Sequence, residues 1–243
     1  MKNIGRIVGH IPARGGSKRV PIKNLRMING KPLLQYAVES AMVSGVFDDV
    51  VVNTDNEDIA QLARDLGANI YMRDPELASD EASGDDFNYD FILRTRTDTL
   101  VMVSPVCPLI EPSDIRNAFE CYEQDEDIDT LITVHTTQMQ VFHENVPINI
   151  NLGGKLSPTQ KNTKVNILNW AVTIWDAKLY VERYKSGADA YIGRNRKLFP
   201  IDPIKSVKIS TEEDFKMAEI LLKTKNDSNI AENPIYWNNL LNK

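Results

Sequence analysis

Residues 5–24, GRIVGHIPARGGSKRVPIKN, place a run of apolar residues directly before a basic loop. The apolar part predicts a buried strand, and the part from 11 to 24 holds two glycines, two arginines and two lysines. A loop that leaves a strand and enters a helix is the setting in which backbone amides bind phosphate. The stretch therefore predicts an α/β fold that opens with a strand and a candidate anion-binding loop.

This loop matches neither of two common phosphate-binding motifs. Its core, RGGSKR (14–19), lacks the GxxxxGK[ST] spacing of the Walker A loop, and it is not GxGxxG. Gly15 and Gly16 would still let the backbone approach a ligand closely, and Arg14, Lys18 and Lys23 would neutralise a polyphosphate. An exposed basic turn without a ligand is the alternative, and the loop alone leaves both open.

Composition limits the ligand that such a loop would serve. The 243-residue chain is 42% hydrophobic and 26% charged, as expected of a globular protein with an ordinary core. Its net charge of -6 argues against general nucleic-acid binding, which needs a basic field. A local basic loop on an acidic protein suits a small anionic ligand better.

Cysteine and histidine usage predicts no disulfide framework and no zinc site. Cys107 and Cys121 are too few for the first and lack metal-ligand spacing, and the three histidines are scattered. The N-terminus carries charges where a signal peptide needs an apolar core, and no apolar run approaches membrane-span length. We therefore expect a cytoplasmic protein that binds neither membrane nor nucleic acid.

Outward from the loop, apolar runs alternate with amphipathic stretches, which is the pattern of an α/β sheet. The predicted strands are GRIVGHIPA (5–13), DDVVVNTD (48–55), ANIYMR (68–73), TLVMVSP (99–105), DTLITVH (129–135), WAVTIW (170–175) and KSVKIS (205–210). The predicted helices are KPLLQYAVESAMVSG (31–45), EDIAQLARDLG (57–67), DDFNYDFILRTR (85–96), EPSDIRNAFECYEQ (111–124) and TEEDFKMAEILLKTK (211–225), with Gly45 and Gly67 ending two of them and Ser113 capping another. In this order a ligand binds outside the carboxyl ends of the parallel strands, where the loops after strands one, two and four meet.

Residues 138–169 interrupt this alternation. The segment is rich in Asn, Gln, Gly and Pro and lacks clean periodicity, and GGK (153–155) is predicted to turn a small hairpin within it. Loops of this length are functional, disordered or part of an interface. The last stretch of the sequence, NPIYWNNLLNK (233–243), is apolar and is expected to pack on the body of the protein, with docking on a partner as the alternative.

Several stretches, in register, resemble the CMP-sialic acid synthetases, the acylneuraminate cytidylyltransferase family. IPARGGSKRVPIKNLRMINGKPLLQYAVESA (11–41) is similar to the family's opening ARxGSKxxPxKN pattern, and the similarity continues over roughly residues 6–222. The other matching stretches are VVVNTDNEDIAQLARDLGA (50–68), MRDPELASDEAS (72–83), VSPVCPL (103–109), TQK (159–161), LNWAVTIW (168–175) and VKISTEEDFKMAE (207–219). The N-terminal motif is the most specific of these.

The resemblance implies a Rossmann-like nucleotide-diphospho-sugar transferase fold, with a mostly parallel sheet, helices on both faces and a small dimerisation excursion. It implies one domain over residues 1–243, with 138–169 as an inserted dimerisation or substrate segment of a homodimer. The family transfers CMP from CTP to the anomeric hydroxyl of a nonulosonic or related α-keto sugar acid and releases pyrophosphate. CTP and a sugar acid are therefore the expected partners.

Site residues follow from the matched motifs. Lys23 would contact the α-phosphate, while Arg14 and Lys18 would hold the leaving pyrophosphate, so these three are the expected catalytic residues. The expected nucleotide-binding residues are Ala13, Arg14, Gly15, Gly16, Ser17, Lys18, Lys23, Asn24, Arg73, Asp80 and Ser83, and the expected acceptor-binding residues are Ser104, Gln160, Asn169 and Thr173. For Arg73 the alternative is an ion pair with Asp74 or Glu76, and for Asp80 and Ser83 it is an ordinary turn cap.

The metal site departs from the family pattern. Two aspartates in the family's closing IDID motif bind catalytic Mg²⁺, and here Lys208 and Ser210 stand at those positions. Asp214 lies nearby but matches a helix position, where a capping role is expected. Since Mg²⁺ prefers carboxylate oxygens, the resemblance implies magnesium while these two residues weaken that expectation.

Three functional hypotheses follow. The first is an active cytidylyltransferase for a sugar acid with an altered use of metal, and the second is a nucleotidyltransferase with a different acceptor. The third is a homologue that binds nucleotide without turnover, which the two missing aspartates support. Retention of Arg14, Lys18 and Lys23 together favours an enzyme, because like charges repel one another without an anion.

Overall fold

The structure is a computed structural model that describes residues 2–155 and 158–225. Its strands are β1 (Ile7–Pro12), β2 (Met27–Ile28), β3 (Lys31–Pro32), β4 (Asp49–Thr54), β5 (Asn69–Met72), β6 (Thr99–Val103), β7 (Thr130–Thr137), β8 (Phe142–His143), β9 (Val146–Pro147), β10 (Val165–Asp176) and β11 (Arg196–Pro200). Its helices are α1 (Leu33–Ser44), α2 (Glu57–Asp65), α3 (Gly84–Thr95), α4 (Pro112–Glu123), α5 (Ala177–Lys185) and α6 (Glu212–Thr224), with one-turn helices at Lys23–Leu25, Pro75–Ala78 and Thr159–Lys161. The stretch 233–243 lies outside the described residues.

Seven strands form one mixed sheet in the order β11-β7-β10-β6-β1-β4-β5. β1 pairs in parallel with β4 and β6, β4 pairs in parallel with β5, and β11 pairs in parallel with β7. Only β10 runs antiparallel to its neighbours β6 and β7 among these pairs. The central position of β1 makes its carboxyl end a switch point, because the chain proceeds to β4 on one side and β6 lies on the other. This confirms the predicted mostly parallel α/β sheet.

Strand alternation divides the core between the two faces of the sheet. Val50 and Val52 of β4 pack with α1, α2 and α4 on one face, whereas Val51 packs with α3 and α5 on the other. The same alternation along β6 sends Val101 and Leu100 to opposite faces. A third cluster joins α6 to the segment after the basic loop. Continuous apolar runs therefore give strands buried on both faces, as parallel sheets require.

Helix ends follow local chemistry, with one correction. Gly45 has φ 70° and caps α1, and Gly67 has φ 85° just after α2, so both predicted glycine stops are confirmed. The predicted Ser113 cap of α4 was wrong: the N-cap is Glu111 and its capping box runs to Asp114, while Ser113 lies inside the first turn. Pro112 at the first position of the helix explains the shift, because proline is favoured there and needs no N–H partner.

The segment from 138 to 169 also differs from expectation. Its hairpin pairs β8 with β9, and Glu144 between them has φ 52°. Gly153–Lys155 form a bend with no adjoining strand among the described residues, so the predicted turn at GGK is wrong. β10 begins at Val165, inside the segment, and continues as a long strand through the predicted WAVTIW stretch.

Three further elements differ from the predicted order. The stretch 205–210 has no strand, although the Ile209 amide donates to the Val106 carbonyl at 2.9 Å. β11 and α5 had not been predicted.

Within residues 2–155 and 158–225, no helix combines the length and apolar character needed to cross a bilayer.

Candidate active site

The basic loop after β1 is shaped by the neighbouring strand end. The Ala13 amide donates to the Asn53 carbonyl at 2.9 Å, and the Gly15 amide donates to Asp55 Oδ1 at 2.8 Å. A Cβ on Gly15 would lie 2.9 Å from the Asn56 Cβ, so a side chain at this position would force the two segments apart. Gly16 faces open space. The fixed part of the loop is therefore the part that touches β4, and the rest is open to a ligand.

Arg14 and Lys18 converge on one carboxylate. Arg14 pairs with Asp80 at 3.0 Å and donates to the carbonyls of Ala78 and Ser79 at 3.3 and 3.1 Å. Lys18 contacts the same Asp80 carboxylate, and hydrogen bonds from Lys18 and then Arg14 lower its pKa. The structure thus brings three predicted site residues together. Because these side chains are exposed to solvent to a third or more, an incoming anion competes with Asp80 at little cost.

Lys23 lies deeper and has no carboxylate partner among the described residues. Its ammonium donates to the Ile209 carbonyl at 3.0 Å. Burial lowers its pKa, and repulsion by Arg19, Lys208 and Arg14 adds to the effect. Four basic side chains therefore share one region, and an anion bound there relieves their mutual repulsion.

Asn24 stabilises the basic loop through a hydrogen bond to its backbone. It is buried, and its amide group donates to the Arg14 carbonyl at 3.1 Å. Its Oδ1 has no hydrogen-bond partner among the described residues. A free acceptor on a buried amide is costly, so this atom is a candidate for contact with a bound ligand after a small shift.

Arg73, at the carboxyl end of β5, is buried and held by β4. Its Nε donates to Asn53 Oδ1 at 2.7 Å, its Nη2 donates to the Asn53 carbonyl at 3.2 Å, and its guanidinium lies 4.6 Å from the centroid of the Phe87 ring. Burial lowers the pKa of Arg73 to about 10. The sequence left an ion pair of Arg73 with Asp74 or Glu76 as the alternative. For Asp74 this alternative is wrong, because its carboxylate instead accepts a hydrogen bond from the Glu76 amide.

Behind Arg73, Asn53 links it to a buried histidine. Asn53 Nδ2 lies 3.0 Å from His10 Nε2, and the His10 ring stacks on Phe91 with centroids 4.1 Å apart. Burial, and then Arg73, hold the pKa of His10 well below its usual value, so the ring is neutral and Nε2 accepts from the amide. This chain fixes the Asn53 amide with its oxygen toward Arg73.

Ser83 belongs to a helix terminus. Its Oγ accepts from the Asp86 amide at 3.2 Å and donates to the Asp86 carboxylate, forming the capping box of α3. The alternative of an ordinary cap, raised from the sequence, describes this residue. Ser17 lies in the loop itself, where its amide donates to the Gly15 carbonyl at 2.9 Å.

The four expected acceptor residues do not form one surface. Ser104 and Asn169 are buried near Ala171: the Ser104 amide donates to the Ala171 carbonyl at 2.9 Å, and Asn169 Oδ1 accepts from the Ala171 amide at 3.0 Å. Thr173 is wholly buried within β10. Its position therefore does not allow the expected contact with the sugar-acid acceptor. Gln160 lies on the exposed one-turn helix of the 138–169 segment.

The residues at the expected metal positions do not suit Mg²⁺. Lys208 is exposed and carries a cation, and Ser210 offers one neutral hydroxyl. Asp214 is engaged in the α6 cap, where its Oδ2 accepts from the Ser210 and Thr211 amides at 2.8 and 2.9 Å. The described part of the chain holds no cluster of three or more His, Cys, Asp or Glu side chains suited to a metal.

Sequence reasoning missed Arg19, Asn53 and Asp55 as members of this site. Arg19 lies inside the quoted loop and acts electrostatically on Lys23. Asn53 and Asp55 stand where the second predicted strand ends, in VVVNTD (50–55). Polar residues at the carboxyl end of a buried parallel strand are the signal that would have identified the last two.

Comparisons with known proteins give a consistent result. A family described as "Cytidylyltransferase" matches residues 8–233. Post-translational flagellin modification protein B of Campylobacter coli is 30% identical over 228 residues, which is 89% of this chain and 94% of that protein. N-acylneuraminate cytidylyltransferase of Escherichia coli is 26% identical over 238 residues, covering 93% of this chain but 54% of that longer protein.

A solved structure shares the fold. A CMP:2-keto-3-deoxy-manno-octonic acid synthetase complexed with CTP superposes with a TM-score of 0.69 over 91% of this chain and 100% of that one. At 18% identity this similarity supports the architecture alone.

Proposed function

The chain belongs to the cytidylyltransferase family, and from this premise we propose that it transfers CMP from CTP to a nonulosonic or related α-keto sugar acid, with release of pyrophosphate. The observation that carries the proposal is the basic loop at the carboxyl end of β1, where Arg14, Lys18 and Lys23 surround a surface open to solvent. The negative charge of a triphosphate is complementary to these three positive side chains.

The acceptor class is supported by the relatives. One is named an N-acylneuraminate cytidylyltransferase, and the one matched over nearly its whole length is named for modification of flagellin. A sugar acid activated for transfer to a surface glycan or protein fits both names. The family is one of enzymes, so a nucleotidyltransferase describes this chain better than a binding protein without turnover.

Charge stabilisation is the main chemical task of the loop. An acceptor hydroxyl oxygen forms a bond to the α-phosphorus, the bond from that phosphorus to the bridging oxygen breaks, and the electron pair leaves with pyrophosphate. The hydroxyl proton passes to water. Lys23 is placed to stabilise the α-phosphate, while Arg14 and Lys18 exchange Asp80 for the leaving pyrophosphate.

The remaining nucleotide contacts are proposed on the same edge of the sheet. The loop residues Ala13, Gly15, Gly16 and Ser17 supply backbone groups near the phosphates. Asn24 and Arg73 lie on the deeper side of this edge and suit the cytidine. The reaction is proposed to take place in the cytoplasm, where CTP is made.

We propose that the protein acts as a homodimer through the 138–169 segment. Exposed large apolar side chains concentrate there: Met139, Phe142, Val146, Ile148, Leu152, Ile167 and Leu168. A second copy of the chain is the proposed cover, since so many exposed apolar side chains on one excursion indicate an interface. Gln160, on the same excursion, is then positioned to meet the acceptor of the neighbouring copy.

Nucleotide selectivity tests the proposal. Thermal unfolding is measured with CTP, ATP, GTP and UTP, and pyrophosphate release is measured with each nucleotide in the presence of a panel of α-keto sugar acids. We expect CTP alone to stabilise the protein, by about 2.7 kcal/mol at one hundred times its dissociation constant, and pyrophosphate to appear only when a sugar acid is present. Equal stabilisation by all four nucleotides would contradict the proposal.

A further inference from the structure

Two of the basic side chains near the loop come from distant parts of the chain. Lys23 opens a one-turn helix, and its ammonium donates to the carbonyl of Ile209 at 3.0 Å. Lys208 is the residue directly before Ile209 and acts electrostatically on Lys23. The two ammonium groups thus belong to one region, although 185 positions separate them in the chain.

The backbone that carries Lys208 is fixed. Ile209 is fully buried in the cluster that α6 forms with the chain around Val20, and its amide donates to the Val106 carbonyl at 2.9 Å. Val106 lies just beyond the end of β6, at the same edge of the sheet as the loop. Lys208 itself is exposed, so its side chain extends into solvent from an anchored backbone.

Neither ammonium is neutralised by the protein. Within residues 2–155 and 158–225, Asp80 forms ion pairs with Arg14 and Lys18, but no ion pair involves Lys23 or Lys208. Apart from burial, the main influences on Lys23 are the repulsive charges of Arg19, Lys208 and Arg14. Unpaired positive charge at the carboxyl edge of the sheet is maintained at a cost that an anionic ligand offsets.

The same position is unsuited to a protein-bound metal. An ammonium only donates hydrogen bonds, the Ser210 hydroxyl is a neutral donor of weak affinity for Mg²⁺, and Asp214 is occupied by two backbone amides. The side chains of Lys208, Ser210 and Asp214 therefore supply no set of hard anionic ligands at this position.

We propose that Lys208 and Lys23 form a paired ammonium seat for the triphosphate of CTP, which provides the positive charge that a protein-ligated divalent cation would otherwise provide. This inference rests on the proposed function, because it takes CTP as the ligand. It assigns to Lys208 a direct contact with phosphate, and it makes binding of metal-free CTP a property of this chain.

Calorimetric titration with CTP in EDTA and in Mg²⁺ tests the inference. The variants are Lys208→Ala and the double replacement of Lys208→Asp with Ser210→Asp, with Lys178→Ala on an exposed site of α5 as the matched control. We expect wild type and control to bind CTP in EDTA with dissociation constants within about threefold of those in Mg²⁺. Lys208→Ala should weaken binding in EDTA by about tenfold or more, as loss of a charge-assisted contact does.

In the double variant, we expect CTP binding to depend on Mg²⁺, in contrast to wild type. With two carboxylates in place of the ammonium, binding in EDTA should be lost and should return when Mg²⁺ is added. Pyrophosphate release in EDTA, measured with a sugar acid that supports release by wild type, should follow the same pattern across the variants. Lys208 is exposed and Ser210 is half-buried, and circular dichroism checks that each variant is folded.

The outcomes separate the two proposals. Wild-type binding that requires Mg²⁺, or an unchanged dissociation constant in Lys208→Ala, would overturn the ammonium seat while leaving cytidylyl transfer intact. Failure of CTP to bind in either buffer would overturn the proposed function, and the ammonium seat with it.

Discussion

Lys23 is the residue at which burial and function oppose each other most clearly. Burial, and then repulsion by Arg19 and Lys208, lower its pKa in the folded protein. The unfolded chain therefore binds more protons at this group, and its contribution to stability rises as pH increases from the lowered pKa to the ordinary value of 10.5. A bound triphosphate restores the charged form.

CTP binding should consequently take up protons in alkaline buffer. At an alkaline pH below the ordinary lysine pKa of 10.5, calorimetry in two buffers of different ionisation enthalpy should report proton uptake by wild type. Lys23→Arg should bind CTP without this uptake, because arginine is already charged at that pH. Equal uptake by the two proteins would show that another group titrates.

Asn53 should act through Arg73. Asn53→Ala removes the acceptor of a buried guanidinium, so we expect the free energy of unfolding to fall by about 1–3 kcal/mol and the KM for CTP to rise while kcat changes less. Urea unfolding and steady-state kinetics measure the two effects. A loss of stability with an unchanged KM would assign Arg73 to the fold and not to the nucleotide.

These residues also show where the sequence is sufficient and where it is not. The basic loop and Asp80 were predicted from motifs, and the structure brings Arg14, Lys18 and Asp80 into contact. The partnership of Asn53 with Arg73 was not predictable, because it depends on the parallel register in which Thr54 of β4 lies opposite Met72 of β5. A single sequence does not reveal that register.

At the scale of elements, the N-terminus of α3 provides a test of whether Ser83 caps the helix or binds the nucleotide. Ser83→Ala should cost about 1 kcal/mol of stability and leave the KM for CTP unchanged, since the Ser83 hydroxyl is engaged with Asp86. Asp176→Ala, which removes the cap of α5, is the matched control and should show the same pattern. Thermal unfolding and CTP kinetics decide, and a raised KM for Ser83→Ala alone would return this residue to the nucleotide site.

Element prediction succeeded where a run was apolar and failed where context decided. β1, β4 and β6 are nearly continuous apolar runs and were predicted close to their observed bounds. β11, RKLFP, carries charged and exposed residues and forms an edge strand through its pairing with β7. The predicted KSVKIS strand lacks such a partner: its Ile209 amide donates to the Val106 carbonyl, but this stretch joins no strand ladder among the described residues.

Trp170 illustrates the same limit within β10. The pairing of this strand with β7 shifts register between Leu168 and Thr173, and Trp170 adopts φ 58° there. Glycine suits a left-handed backbone better than tryptophan does. The Trp170 ring packs on Tyr191, with centroids 5.0 Å apart, so contact with the core accompanies the strained backbone.

At the scale of the whole molecule, the excursion from 138 to 169 should hold two copies together. Phe142 is 52% exposed and belongs to the apolar group on this excursion. Sedimentation velocity should show a dimer for wild type and a monomer for Phe142→Asp. Val43→Asp, at an apolar site on α1 that is 68% exposed, should remain a dimer. A monomeric wild type would contradict the assembly.

Transfer of CMP from CTP to a sugar acid is tested most directly by mass spectrometry of the product. Wild type is incubated with CTP and each of several nonulosonic and related α-keto sugar acids, with Lys23→Ala in parallel. We predict one acid whose mass increases by that of a cytidylyl group, with pyrophosphate in equal amount, and loss of this product in Lys23→Ala. Hydrolysis of CTP without a conjugate, or a conjugate formed equally by Lys23→Ala, would contradict the account.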